Sequence, residues 1–268
     1  MQTSWRSETV RVDGAAVDLR KGGSGPPLVI LHGEEIVRDV LPFHDLLAEK
    51  FEVLVPFLPG LGRSELPPWI DSVDDLAYFA LDMVETLAPR GTHLLGIGFG
   101  GWVAAEMAVR CHVHMKRLVL ADALGIKVSE PWVRDIADLF VLSFEEQAQL
   151  AWHDPSGAVQ IKSPGAPGLK AEELYECLQN REVVLSLGWS PFMHNPKLRK
   201  RLERVRIPTL VVWGESDRVV TPQYGRAFHE AIAGSEFRLI PKAGHYPHCE
   251  QPQAFVRVVA DFLRQGEV

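Results

Sequence analysis

Short runs of apolar residues alternate along the chain with segments in which apolar residues recur every three or four positions. The runs have the length and continuity of strands that are buried on both faces of a parallel sheet. A looser alternation from Val10 to Arg20, around Asp13 and Gly14, predicts a β-hairpin. The other predicted strands are Pro27–Leu31, Phe51–Val55, His93–Gly96, Arg117–Ala121, Thr209–Trp213 and Phe237–Ile240.

Helical spacing fills most of the gaps between these runs. The predicted helices are Val40–Lys50, Val73–Leu87, Trp102–Arg110, Pro222–Ala233 and Pro252–Arg264. Strands that alternate with helices in this way form βαβ units, so we predict an α/β fold with a mostly parallel central sheet flanked by helices.

One long stretch interrupts the alternation. Residues 127–206 contain helix-like segments and scattered aromatic residues but no run typical of a buried strand. We therefore predict a core formed by residues 1–126 and 207–268, with 127–206 inserted as a helical cap over the carboxyl edge of the sheet. Ligands bind at that edge in α/β folds, so Trp152, Trp189 and Phe192 of the insertion are candidate substrate-binding residues.

Composition narrows the choice of partner. The chain has 268 residues, with 28 Lys and Arg against 35 Asp and Glu, and a net charge of -7. This balance argues against nucleic acid or an anionic membrane and favours a small molecule. The widely spaced Cys111, Cys177 and Cys249 predict neither a disulfide framework nor a zinc site. The sequence has no apolar leader and no run of 18 apolar residues, so we expect a cytoplasmic protein. We also expect a monomer or homodimer without cofactor or metal.

Five local motifs follow one another in a fixed order along the chain. They are Leu31-His32-Gly33-Glu34-Glu35, Pro59-Gly60-Leu61-Gly62-Arg63-Ser64, Gly96-Ile97-Gly98-Phe99-Gly100-Gly101-Trp102, Trp213-Gly214-Glu215-Ser216-Asp217 and Gly244-His245-Tyr246-Pro247-His248. Together they resemble the α/β-hydrolase family, in its cap-bearing branch of esterases, C–C hydrolases, epoxide hydrolases and dehalogenases. The resemblance extends from about Val10 to Leu263 and implies that fold with an inserted helical cap.

The resemblance also implies catalytic roles. The family's histidine corresponds to His245, a general base, and its acid to Asp217, which would hold the imidazole in the correct tautomer. Asp122, at the end of an earlier strand, is the fallback acid. The family places its nucleophilic serine on a strained turn in Gly-x-Ser-x-Gly, but here that position is Gly98. No acyl-enzyme can form on a glycine.

Gly98 leaves a serine-sized space, which we expect to hold a water beside His245. The backbone N–H groups of Phe99 and Glu34 are the expected oxyanion hole. Glu34 is also a candidate to position substrate, together with His32, or to pair with His245 as an acid/base couple. An exposed loop residue without a role is the equal alternative for Glu34, and the adjacent Glu35 is the weaker candidate.

These features favour a hydrolase-like enzyme that acts on a small, largely apolar ester, lactone or carbonyl compound. His245 and Asp217 would activate water or remove a substrate proton. Two alternatives share the fold: a pseudoenzyme that only binds a ligand, and a hydrolase whose serine has been replaced by Gly98. Weak ester hydrolysis would not decide between them, because an oxyanion hole alone retains about 10³- to 10⁴-fold catalysis.

A remote alternative belongs to another class. Gly96-x-Gly98-x-x-Gly101 follows a strand and opens a helix, and Asp122 comes 21 residues after Gly101. This is the context of a dinucleotide-binding site, which would make the protein an oxidoreductase. The motif, however, follows about 90 residues that contain two other strand–loop motifs, and this alternative gives His245 and Asp217 no role.

Overall fold

The centre of the molecule is an eight-stranded sheet. The computed structural model describes residues 4–34 and 40–265. Its strands are β1 (Arg6–Val12), β2 (Ala15–Gly23), β3 (Pro27–Leu31), β4 (Glu52–Pro56), β5 (Thr92–Ile97), β6 (Met115–Ala121), β7 (Thr209–Gly214) and β8 (Glu236–Ile240). Each predicted strand after the hairpin is present, with its ends shifted by no more than one or two residues.

The strand order is β1-β2-β4-β3-β5-β6-β7-β8. β2 pairs antiparallel with both β1 and β4, and every later neighbour pair is parallel. The β1–β2 turn has positive φ at Asp13 (46°) and Gly14 (81°), as the tight hairpin turn requires. The prediction of a mostly parallel α/β sheet is thus confirmed.

Helices cover both faces of the sheet. They are α1 (Pro42–Ala48), α2 (Val73–Leu87), α3 (Gly98–Arg110), α4 (Phe144–Ala151), α5 (Ala171–Gly188), α6 (Leu198–Arg201), α7 (Pro222–Ala231), α8 (Pro247–Glu250) and α9 (Pro252–Leu263). Val29 and Leu31 of β3 pack into a core with α2, α3 and α7. Leu28 and Ile30 point to the other face and pack with α1 and α9. Neighbouring residues of one strand therefore anchor opposite layers.

Residues 127–206 are built from α4, α5 and α6. Three 3₁₀ helices accompany them, at Leu139–Val141, Pro155–Gln160 and Leu202–Arg204. Val184 of α5 joins the core on the α2–α3 side, whereas Ala151 and Trp152 at the end of α4 join the core on the α1–α9 side. The segment is helical, as the absence of strand runs predicts. In the described part of the chain, no helix has the length and apolar character needed to cross a membrane.

The carboxyl edge of the sheet collects polar side chains from distant parts of the sequence. Glu34 follows β3, Gly98 follows β5, Asp122 follows β6, Asp217 follows β7 and His245 follows β8. Parallel strands end at the same edge, so the topology brings these five residues together.

Gly100 allows the start of α3 to approach the end of β3. A Cβ atom at Gly100 would lie 2.3 Å from the backbone oxygen of Leu31 and 2.4 Å from that of His32. These backbone atoms belong to the strand and loop that carry Glu34, and they have no rotamer that relieves the contact. A glycine here is therefore required by close packing.

We expect Gly100→Ala to lower the free energy of unfolding by about 3 kcal/mol, because it overpacks a backbone contact. Gly168→Ala is the control: a Cβ there meets nothing within 4 Å, and only its positive φ of 74° is unfavourable. That control should lose about 1 kcal/mol. Urea unfolding of both variants measures the difference, and equal losses would contradict the packing argument.

Candidate active site

The turn between β5 and α3 brings Gly98 to the centre of the carboxyl edge. Gly98 is the first residue of α3 and has a φ of 49°, a left-handed conformation that glycine adopts without the penalty that a Cβ imposes. Its backbone oxygen accepts a hydrogen bond from the Leu124 N–H at 3.0 Å. The sharp turn implied by the sequence is thus present without a nucleophilic side chain.

The Glu34 carboxylate fills the space beside Gly98. A Cβ atom built on Gly98 would lie 2.4 Å from Glu34 Oε2. The same oxygen accepts a hydrogen bond from the Phe99 N–H at 3.1 Å. The space expected to hold a water therefore contains a carboxylate, and the expected oxyanion donor at Phe99 already binds an anion.

This arrangement argues against the dinucleotide alternative. A pyrophosphate in a G-x-G-x-x-G site lies at the helix N-terminus, where Glu34 already places negative charge. Asp122, which would contact the ribose, is fully buried and accepts a hydrogen bond from the Gly214 N–H at 2.8 Å. Neither element of that site is accessible.

His245 lies between two carboxylates. Its Nδ1 is 2.8 Å from Asp217 Oδ2 and its Nε2 is 2.9 Å from Glu34 Oε1. The side chains of His245, Asp217 and Glu34 are 1%, 0% and 9% exposed. Backbone hydrogen bonds hold this row of side chains at two further points. Asp217 Oδ1 accepts the N–H groups of Val219 and Val220 at 2.8 and 3.1 Å, and the His245 N–H donates to the Ala151 oxygen at 2.6 Å.

The two carboxylates determine the charge of the ring. Burial alone would lower the pKa of His245, but the charges of Asp217 and Glu34 and its hydrogen bonds to both raise that pKa well above its ordinary range. Burial alone would raise the pKa of Glu34. The charge of His245, its hydrogen bond and the backbone N–H groups of Glu34 and Phe99 together lower it. The environment of the ring therefore favours its protonated form, hydrogen-bonded to a carboxyl group at each nitrogen.

Asp122 adds a third carboxyl group beside this unit. Burial, and then the charge of Asp217, raise the pKa of Asp122 well above its ordinary value. One oxygen or nitrogen atom from each of Asp122, Asp217 and His245 lies within 4.8 Å of the other two. Among the described residues, this is the one group of three side chains spaced closely enough to hold a metal ion. A carboxyl group with a raised pKa and a ring nitrogen engaged with Asp217 suit proton sharing better than metal ligation.

A cavity with an empty volume of about 690 Å³, which includes the solvent at its mouth, opens beside Glu34. Apolar and aromatic side chains form much of its wall, and the cations Lys162 and Arg181 also line it. Its lining residues are Glu34, Leu139, Phe140, Phe144, Gln147, Ala148, Ala151, Trp152, Ala158, Ile161, Lys162, Ser163, Pro164, Cys177, Asn180, Arg181 and Tyr246. The cavity therefore lies next to the buried Asp217–His245–Glu34 row.

The other predicted binding residues fall in different places. Trp152 lines the cavity and stacks near Tyr246, with ring centroids 5.4 Å apart. Trp189 is 60% exposed and packs on Phe192, which lines a separate surface groove, so neither is placed to contact a ligand beside Glu34. His32 also differs from the expectation. It is buried, and its Nε2 accepts the Leu58 N–H at 3.3 Å, which fits a role in holding the loop.

Several lining residues are absent from the predicted site. The sequence could have indicated Tyr246 as a site residue, because it directly follows His245 in the last motif. The sequence could not have indicated Asn180 and Arg181, because they lie on a helix whose orientation it does not specify. Asn180 Oδ1 accepts the Gly62 N–H at 3.2 Å and so links α5 to the second motif. The weaker candidate, Glu35, lies outside the described residues.

Comparisons with known proteins agree with this architecture. The chain is 24% identical over 253 residues to a pimeloyl-[acyl-carrier protein] methyl ester esterase of Nitrosospira multiformis, covering 90% of this chain and 96% of that one. It is 24% identical over 280 residues to a 2-hydroxy-6-oxo-2,4-heptadienoate hydrolase of Pseudomonas putida, covering 95% of each. The crystal structure of an enol-lactonase from Burkholderia xenovorans LB400 matches with a TM-score of 0.70 at 22% identity, covering 96% of this chain and 100% of that one.

A family model provides the decisive comparison. Residues 28–258 match the model described as the Alpha/beta hydrolase family, a range that includes Glu34, Gly98, Asp217 and His245. That match covers most of the chain, and the sheet order fits it. The chain therefore belongs to the alpha/beta hydrolase family.

Proposed function

We propose that this protein is an enzyme that hydrolyses a small, largely apolar ester, lactone or carbonyl compound, with Glu34, His245 and Asp217 as its catalytic unit. The proposal rests on one observation: a buried row of hydrogen-bonded side chains, Asp217–His245–Glu34, ends on Glu34 at the wall of a largely apolar cavity. The substrate class is supported by the ester, the oxo-dienoate and the enol-lactone named for the similar proteins.

The charges of the unit set the order in which His245 acts. Both carboxylates raise the pKa of the ring, so we expect His245 to act first as an acid. It becomes a base only when the negative charge of Glu34 is neutralised or moved away, because that charge contributes to its raised pKa. Asp217 keeps Nδ1 paired throughout, which leaves Nε2 as the nitrogen that exchanges a proton with substrate or water.

This role differs from the expectation that His245 activates a water in the space beside Gly98. That space contains the Glu34 carboxylate, and Nε2 is bonded to it. Of the two expectations for Glu34 from the sequence, pairing with His245 as an acid/base couple is the one that the geometry favours.

The buried His245 favours an enzyme over the ligand-binding alternative with the same fold. A Cβ atom at position 98 would lie 2.4 Å from Glu34 Oε2, which is the end of a flexible side chain, so a serine there would require Glu34 to rotate away. A protein that only binds an apolar ligand has no need of an acid and an oriented imidazolium, which are costly to bury.

The first test is turnover of p-nitrophenyl butyrate and β-butyrolactone by the purified protein. We expect His245→Ala to reduce kcat/KM by about 10²- to 10⁴-fold, the usual contribution of a positioned acid or base. His153→Ala is the matched control, because its exposed ring bonds to Ser216 Oγ and does not line the cavity. Equal activity in the wild type and His245→Ala would contradict the proposal, and inertness of every protein would favour the ligand-binding alternative.

A second test replaces the missing nucleophile. Gly98→Ser alone should react poorly with a fluorophosphonate probe, because Glu34 Oε2 lies where the new side chain must go. Gly98→Ser combined with Glu34→Ala should react about 10²-fold faster, because the serine then has His245 as its base and the Phe99 N–H as an oxyanion donor. Glu34→Ala alone is the control without the new serine. Equal labelling of the single and double serine variants would show that Glu34 does not occupy the nucleophile's place.

A further inference from the structure

We propose that the Glu34 carboxylate is a covalent nucleophile, which attacks a saturated carbon and forms a glutamyl ester that His245 then helps to hydrolyse. The substrate class is an electrophile whose leaving group departs as an anion, such as a strained lactone opened at its alkyl carbon–oxygen bond. This inference rests on the proposed function, and it assigns the step by which the same unit opens lactones; p-nitrophenyl butyrate, which has no saturated carbon bonded to its leaving oxygen, would have to react by water attack at its carbonyl.

The geometry fixes the two carboxylate oxygens differently. Oε2 accepts the Phe99 N–H at 3.1 Å, and Oε1 lies 2.9 Å from His245 Nε2. Glu34 also lines the cavity, which places it next to a molecule bound there. A nucleophile held by both of its oxygens has already lost the freedom that attack would otherwise cost.

The Phe99 N–H is already bonded to Glu34, and this favours attack of Glu34 at a saturated carbon over attack at a carbonyl. Addition of Glu34 to an ester carbonyl would create an oxyanion on the substrate, but the Phe99 N–H is already bonded to Glu34 Oε2. Displacement at a saturated carbon creates no such oxyanion. Its leaving group departs on the side opposite Glu34, towards a cavity whose lining includes Arg181.

Arg181 is suited to receive a leaving anion. It is a partly buried cation that donates one hydrogen bond to the Leu139 oxygen at 3.3 Å and lies over the Phe140 ring. Within the described residues, no carboxylate forms an ion pair with it. Arg181 therefore offers N–H groups and positive charge to a carboxylate released inside the cavity.

The first half-reaction forms the Glu34 Oε1–carbon bond and breaks the carbon–oxygen bond of the lactone ring. The electron pair leaves with the ring oxygen as a carboxylate. Glu34 is then an uncharged ester, so the pKa of His245 falls and its Nε2 proton passes to solvent. This supplies the neutral base that the resting site lacks.

The second half-reaction hydrolyses the glutamyl ester. His245 Nε2 takes a proton from water as the water oxygen bonds to the Glu34 carboxyl carbon, and the resulting oxyanion is Oε2, which the Phe99 N–H already contacts. The Oε1–carboxyl carbon bond breaks, and His245 protonates the departing alcohol oxygen. The acid proton of Glu34 returns to His245. The balance is lactone plus water to hydroxycarboxylate plus one proton.

A single turnover of (R)-β-butyrolactone in oxygen-18 water tests this route on the intact wild-type protein. We expect the product hydroxyl to carry unlabelled oxygen from Glu34 and to have inverted configuration, and the Glu34 peptide to gain the heavy isotope by mass spectrometry. Peptides that carry other glutamates are the internal control. His245→Gln should accumulate one adduct of lactone mass per chain on Glu34, with Glu34→Gln as the unmodified control.

Two results would overturn the inference. Label in the product with retained configuration and an unlabelled Glu34 peptide would show direct attack of water on the acyl carbon, and the proposed hydrolase would survive without a covalent Glu34. No conversion of β-butyrolactone, with p-nitrophenyl butyrate still hydrolysed in a His245-dependent way, would show that the electrophile class is wrong. Loss of both activities would instead reject the proposed function itself.

Discussion

The ion pair between Glu34 and His245 is the interaction on which the rest of the site depends. Both side chains are almost completely buried, and an unpaired charge in such a place costs several kcal/mol. Glu34 and His245 are each other's partners. Asp217 pairs with the second ring nitrogen of His245, and the Phe99 N–H donates to the second oxygen of Glu34. The pair also joins the loops after β3 and β8, whose strands are far apart in the sheet order.

Glycine at two positions makes this pair possible. Gly98 provides a left-handed turn without a Cβ, which leaves the Glu34 carboxylate room beside α3. Gly100 allows the same helix to approach the backbone of Leu31 and His32, which places the Glu34 loop next to the turn. A nucleophile at position 98 and a carboxylate at position 34 are thus alternative ways to fill one space.

The sequence was sufficient for the fold but only partly for the site. Buried runs such as Thr209–Trp213 lie in the centre of a parallel sheet, where continuous apolar character leaves little choice of structure. The strand ends then bring Gly98, Asp217 and His245 together by topology. The position of the Glu34 side chain was not predictable, because it depends on a loop conformation that no periodicity fixes. Trp189 and Phe192 lie away from this cavity, and the sequence could not indicate it, because aromatic composition does not specify which way a helix faces.

The charge state of His245 tests the ion pair with Glu34 most directly. Nitrogen-15 NMR of the imidazole, recorded from about pH 5 to 9 in the wild type and in Glu34→Gln, reports that state for each ring nitrogen. We expect an imidazolium in the wild type at pH 7 and above, because both carboxylates raise the pKa of His245. Removal of one charge in Glu34→Gln should lower that pKa. A neutral ring at pH 7 in the wild type, with the same titration in the variant, would contradict the central claim.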